Sequence, residues 1–476
     1  MLRIRIILFL AVFSILNSYS QKKEFSFDLN SSAGYITSGS VPFWLRSNQF
    51  GNVPIDKTSL GIFGGLHKEY TKPESRIIDW GVSVEGRANI GYKSNFTLIE
   101  GYGKVRISIF EIRGGRSKEI MGLCDTTLTS GSWAVSGTAL GIPKVQISIP
   151  EFFSLPFFGK LFAFKGNYAH GWMGETAQGR NGDIIKLGTF LHQKSLYGRF
   201  GKPGWKWKLY GGFNHQVEWG SEKKYWGDYF PFSTFKTYLY VITGRGWNGS
   251  RMGNSLGSID LGAQYELKNV RLFAYRQNLY DAGALYRLAN IRDGLNGLSL
   301  VNLHPGNEGF RWKKILAEIL YTKNQAGESW SPVTKSGDEE YFNHDQYMEG
   351  WSYKGVGIGN PFITPVTSAR AGLPFVPRYF FINNRVIAFH FGYEGSVKNW
   401  NFLLKTSYSL NYGTYETSIE KNTSYGIFGK KKQFSAFLDA NREFKNGLNI
   451  GVTGAFDAGE LFYNSAGLIF RVGKSF

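Results

Sequence analysis

The sequence predicts an all-β chain folded as a transmembrane antiparallel barrel of about 18 strands, with long extracellular loops and short periplasmic turns. Three observations carry that expectation. Apolar and polar residues alternate with a period of two over long segments; nothing beyond residue 21 approaches the roughly 20 apolar residues of a spanning helix; and tight, lysine-bearing turns are separated by much longer connections.

Composition agrees. Among 476 residues there are 60 glycines, nearly twice the ordinary share of roughly 7%, and aromatics reach 17%. A hydrophobic content of 42%, with glycine in no three-residue period, excludes disorder and collagen. The single cysteine, Cys124, excludes a disulfide framework and paired-cysteine zinc sites, and nothing near it suggests an activated thiol. A net charge of +19 would suggest a polyanion for a soluble chain. The amino terminus turns that reading away from nucleic acid. Residues 1–20 carry Arg3 and Arg5, an apolar run from Ile6 to Phe13, and small residues at Ser18 and Ser20, the pattern of a signal peptide cleaved near Ser20-Gln21. Residues 21–476 are then one barrel domain in the outer membrane, where a basic rim meets lipid and lipopolysaccharide phosphates.

The first clear strand places Trp80, Val82, Val84, Gly86, Ala88, Ile90 and Tyr92 on one face and Asp79, Ser83, Glu85, Arg87 and Asn89 on the other. After a turn at Lys93-Ser94-Asn95 the alternation resumes, with Ile99, Gly101, Gly103, Val105, Ile107 and Ile109 against Glu100, Lys104, Arg106 and Ser108. It returns with Gly257, Ile259, Leu261, Ala263, Tyr265 and Leu267 against Ser258, Asp260, Gln264 and Glu266, and again with Ala466, Leu468, Phe470 and Val472 against Ser465, Arg471 and Ser475. Glycine and aromatics on the apolar face, with frequent charge on the other, suit lipid outside and water inside. Lysine also marks tight turns at Lys202-Pro203-Gly204, Lys268-Asn269, Lys398-Asn399 and Lys445-Asn446-Gly447, while long connections fall near residues 214–254, 322–378 and 411–432. Counting strands back from a periplasmic Phe476 puts the turns at Lys445, Lys398 and Lys268 together in the periplasm. At about 25 residues per strand and loop, residues 21–476 give roughly 18 strands.

Several segments, taken in order, resemble a known family. They are Pro42-Phe43-Trp44-Leu45-Arg46-Ser47-Asn48-Gln49-Phe50-Gly51, Leu191-His192-Gln193-Lys194, the run from Gly211 to Gly220, Tyr341-Phe342-Asn343-His344, Gly350-Trp351-Ser352-Tyr353, Asn383-Asn384-Arg385 and Asn411-Tyr412-Gly413-Thr414-Tyr415. Spread over nearly all of residues 21–476, they are similar to the Wzi-type capsule assembly proteins of Bacteroidetes-like bacteria. The resemblance implies an 18-strand outer-membrane barrel that holds secreted capsular or exopolysaccharide at the cell surface as a lectin-like factor, without catalytic residues. The terminal Phe476 also looks like the aromatic end read by the barrel assembly machinery.

Chemistry then nominates the contacts. An acidic polymer needs cations for its carboxylates and flat aromatic faces for its sugar rings. The long connections supply His215, Trp219, Trp226, Arg245, Trp247 and Arg251 in one, and Trp330, His344, Tyr347, Trp351 and Arg378 in another. Trp219, Trp226, Arg245 and Trp247 form the expected core of the glycan site. Aromatic girdles and lipid-facing cations explain the same residues without a ligand. Catalytic readings are weaker: Gly253-Asn254-Ser255-Leu256-Gly257 fits a nucleophile elbow, but a strand rather than a helix follows it. Asp338-Glu339-Glu340 near His344 reads as a solvated loop, and no cofactor or metal is expected. The alternatives are a diffusion channel or transporter for small solutes and a barrel lipase or deacylase.

Overall fold

Eighteen strands, each antiparallel to its neighbours, close into a single barrel in the computed structural model. It describes residues 24–37, 40–52, 58–71, 77–91, 94–180, 183–281, 289–306, 309–327, 339–421 and 424–476. The expected signal peptide, Lys93, Trp330 and Asp338 lie outside the described residues.

The wall begins with β1 (Ser26–Ile36), β2 (Thr58–Lys68), β3 (Ile78–Gly91), β4 (Asn95–Ile107), β5 (Phe110–Arg116) and β6 (Lys144–Ser154). It continues with β7 (Phe162–Arg180), β8 (Asp183–Phe200), β9 (Trp207–Trp219), β10 (Asn254–Glu266), β11 (Val270–Tyr280) and β12 (Gly294–Asn302). The last six are β13 (Phe310–Tyr321), β14 (Val386–Val397), β15 (Trp400–Asn411), β16 (Lys431–Glu443), β17 (Leu448–Gly459) and β18 (Ser465–Ser475). Each pairs with the next, and β18 pairs with β1 from Asp28↔Ser475 to Ile36↔Gly467, so no edge is left for lipid to meet.

The alternation runs inside out relative to a soluble protein. Trp80 and Phe470 are 50% and 57% exposed on the outer surface, whereas Asp79 and Ser258 are 3% and 0% exposed on the lumen side. Lumen charges satisfy one another across strands: Arg471 on β18 donates to Asp439 on β16 at 2.5 Å and to Thr453 on β17 at 2.8 Å. One expected position is corrected. Glu85 faces Glu100 but Gly86 faces Leu98, so Ile99 is the extra residue of a β-bulge; it turns into the lumen and is buried, and Leu98 takes the lipid-facing place.

The turns at Lys202, Lys268, Lys398 and Lys445 lie at the end of the barrel where β1 begins and β18 finishes. The link at Lys93-Ser94-Asn95 is a second correction: β3 and β4 join at the opposite end, among the long loops. A third concerns a connection that the sequence reading passes over. Residues 117–143, between β5 and β6, fold into the lumen as a plug with Leu128 and Trp133 fully buried. The wall grips it with side chains: Asp260 accepts from the Leu123 amide at 2.8 Å, Gln277 from the Trp133 amide at 2.9 Å and Glu318 from the Ser130 amide at 2.6 Å. Lys405 donates to the Thr129 carbonyl at 3.2 Å. A cap from residues 339–385 lies on the plug, where Trp351 donates its indole N–H to the Ala134 carbonyl at 2.7 Å and Asn360 donates its amide N–H to the Trp133 carbonyl at 3.0 Å.

Candidate functional site

The long-loop end is built on the plug. Between β1 and β2, Pro42 holds an extended φ of −51° and opens a one-turn helix, α1 (Phe43–Arg46). Phe43 donates its amide to Asp457 at 2.8 Å, and Trp44 packs tilted against His390 with ring centres 5.0 Å apart, which sinks both rings into the lumen. Asn48 then ties the segment to the plug through the Thr129 carbonyl at 3.2 Å. The cap adds a hairpin, Ser352–Tyr353 paired with Val356–Gly357, whose two central residues, Lys354 and Gly355, have φ of +52° and +77°.

These pieces enclose a cavity of about 410 Å³, within the range of small-ligand sites. Arg46, Ser47, Thr97, Thr138, Tyr353, Lys354 and Ser368 supply its polar side chains among apolar walls. The Arg46 guanidinium lies 4.8 Å over the Phe462 ring, and Arg116 braces the Tyr353 hydroxyl at 3.3 Å. The buried Ser47 hydroxyl has no protein partner. A cation, an aromatic hydroxyl and an unpaired hydroxyl in one recess are what a polar ring with a carboxylate needs.

The residues nominated from sequence are distributed over three places. His344, Tyr347 and Trp351 are inside the cap. His344 accepts from the Gln346 and Tyr347 amides at 3.1 and 3.3 Å, and burial lowers its pKa to about 4, which leaves a neutral turn-capping ring. Tyr347 and Trp351 have essentially no exposed surface. Arg378 is at the mouth, exposed, 3.3 Å from Asp345. The remaining six belong to β9 or to the loop of residues 220–253. His215 and Trp219 are strand residues on the outer face, with the parity of Leu209 and Phe213. The loop forms α2 (Glu222–Trp226), α3 (Thr234–Thr243) and the hairpin of Gly246–Trp247 with Ser250–Arg251. Trp226 and Trp247 meet at 5.9 Å, and Arg245 and Arg251 are exposed beside them.

Arg46, Ser47 and Lys354 were not nominated as ligand residues. Their signal was in view, since the segments resembling a family include Arg46-Ser47 and end at Tyr353. Glu340, from the carboxylate run, is buried and accepts from Asn384 at 3.0 Å and the Glu416 amide at 3.1 Å. Among the described residues, His67, Glu85 and Glu100 group as metal-ligand types on the lumen wall, where the Lys118 ammonium already pairs with Glu85. Ser255 lies at the start of β10, with no helix after it.

A closed, apolar-faced wall of 18 strands around a polar lumen defines the chain as an outer-membrane β-barrel. No known family profile matches the sequence, and no curated protein matches it. Solved structures do. The chain is similar to Wzi, an outer-membrane protein involved in group 1 capsule assembly in Escherichia coli and described as a carbohydrate-binding barrel, with a TM-score of 0.56 at 13% identity over 94% of this chain and 83% of that one. It is also similar to OccAB2 of Acinetobacter baumannii (TM-score 0.48, 12% identity, 95% and 98% covered) and to the outer membrane protein OprD of Pseudomonas aeruginosa (0.46, 12%, 95% and 94%). At these identities the likeness is one of fold.

Proposed function

We propose that this barrel retains a secreted, acidic capsular or exopolysaccharide at the cell surface by non-covalent binding at the mouth cavity. The observation that carries the reading is the cavity with Arg46, Tyr353 and Lys354 seated directly on a filled lumen. Arg46 pairs with a sugar carboxylate, Lys354 adds a second cation, Tyr353 offers a ring face and hydroxyl, and the exposed Arg378 extends the basic rim. The carbohydrate binding described for the Wzi barrel supports the same reading. The plug speaks against a diffusion channel, and β10 running on from Ser255 speaks against a serine hydrolase. Export by cleavage near Ser20-Gln21 and delivery through an assembly machinery that reads Phe476 complete the proposal.

The test compares intact cells expressing the wild type and Arg46→Gln/Lys354→Ala, scoring attached against shed polymer. Release into the medium with total polymer unchanged is the expected result. Unchanged attachment, with the variant barrel folded in the membrane, sinks the cavity assignment, and loss of total polymer points to export instead.

A further inference from the structure

The loop of residues 220–253 leaves the mouth and lies along the outside of the wall. Tyr168, His170, His192, Lys194, His215 and Trp219 all point outward from β7, β8 and β9, and α3 is laid across them. Tyr238 stacks on Trp219 at 5.1 Å and shares a 2.8 Å hydrogen bond with the Tyr168 hydroxyl. Ser233 caps the helix start, Gly244 ends it at φ +66°, and the Lys194 ammonium holds the Ile242 carbonyl at its last turn. His215 is eight residues above Trp207 at the periplasmic end of β9, which at about 3.3 Å per residue and roughly 40° of tilt is about 20 Å. That height is near the upper edge of an apolar band roughly 25 Å tall, so α3 lies in the plane of the outer leaflet's headgroups.

Its free face fits that position. Phe235, 71% exposed, and Leu239 stand four residues apart and point away from the wall, while Thr237 and Val241 are buried against it. A helix apolar on both faces is suited to lipid rather than water. The loop carries five cations against two carboxylates. Glu222 is buried and Asp228 sits 3.7 Å from Lys223, whereas Lys236, Arg245 and Arg251 have no carboxylate within ion-pair distance among the described residues. Arg245 and Arg251 gather at the end of α3, and Lys236 is in its first turn, some eight residues and about 12 Å away. Trp226, Tyr229 and Trp247 lie beside them, Tyr229 and Trp247 at 5.4 Å, as aromatics do at headgroup depth.

We propose that this shelf binds the headgroup of a phosphorylated glycolipid in the outer leaflet, with phosphates at Lys236 and at Arg245–Arg251 and acyl chains against Phe235 and Leu239. The test uses the full chain in neutral detergent and native mass spectrometry with bisphosphorylated lipid A, monophosphoryl lipid A or phosphatidylethanolamine. Stoichiometric retention in that order of preference is expected. Lys236→Glu/Arg245→Glu/Arg251→Glu should lower lipid A retention at least tenfold, with heat-modifiable migration showing the barrel intact, and Arg378→Glu at the mouth should leave it unchanged. Equal retention by the triple variant, or no preference for lipid A over phosphatidylethanolamine, overturns the proposal. So does a triple variant that keeps lipid A but loses polysaccharide, since the shelf would then serve the glycan. The mouth reading stands or falls separately, on Arg46 and Lys354.

Discussion

Glu318 on β13 is a charged hold of the wall on the plug, and replacing it with alanine should open the barrel. Its buried carboxylate accepts from the Thr129 hydroxyl at 2.7 Å, the Ser130 amide at 2.6 Å and the Tyr275 hydroxyl. Hydrogen bonds to a charged group contribute roughly 1.5–3 kcal/mol each, and two of these three join wall to plug. Water entering the vacated space offsets part of the loss, which leaves about 4 kcal/mol against the docked plug. At about 1.4 kcal/mol per tenfold, the open fraction rises by roughly 10³. The wall's own hydrogen-bond ladder is untouched, so the barrel persists. Single-channel recording in planar bilayers reads the result: a nearly silent wild type, intermittent openings for Glu318→Ala, and steady conductance when residues 118–141 are replaced by a short linker. Silence from Glu318→Ala beside a conducting deletion would refute the tether, and silence from both would refute the plug as the seal.

Three more perturbations test other levels of the structure. Phe470→Arg puts a cation on the lipid face of β18 and should cost about 2–4 kcal/mol in urea unfolding from bilayers, far more than Asn449→Arg at a half-buried lumen position opposite Glu443; equal costs would contradict the inside-out wall. Gly131 has φ +127°, and a Cβ there would lie 2.6 Å from the Pro361 ring of the cap, so Gly131→Ala should part cap from plug at about 1–3 kcal/mol and expose residues 339–385 to protease on intact cells. Burial raises the Glu340 pKa from 4.5 to about 7, so the folded state keeps the proton longer; that stabilisation is complete below pH 4.5 and lost as pH rises through 7. Glu340→Gln should therefore flatten the fall in stability between pH 5 and 8, and an unchanged slope would remove Glu340 as its source.

The wall was legible because a barrel strand in lipid obeys one rule along its length, and the runs at Trp80, Gly257 and Ala466 obey it. Ile99 escaped because a bulge breaks parity without any change in residue type. The plug escaped for the opposite reason. Residues 117–143 have no period, and their serines, threonines and glycines read as an ordinary loop, although such small residues are what a crowded lumen admits. The nominated aromatics show the limit of composition: Trp351 and Trp247 are alike in a sequence, but one is packed on Ala134 and the other lies on the outer shelf. Only the direction in which a loop leaves the wall separates them, and that depends on contacts far apart in the chain.

The seam between β1 and β18, where Phe27 and Phe476 exchange backbone hydrogen bonds, makes the cylinder complete only when its first and last strands meet. Yet the plug lies early in the chain and is gripped by Asp260, Gln277, Glu318 and Lys405, all made later. Its fastening therefore waits for β10, β11, β13 and β15, however early its own residues emerge.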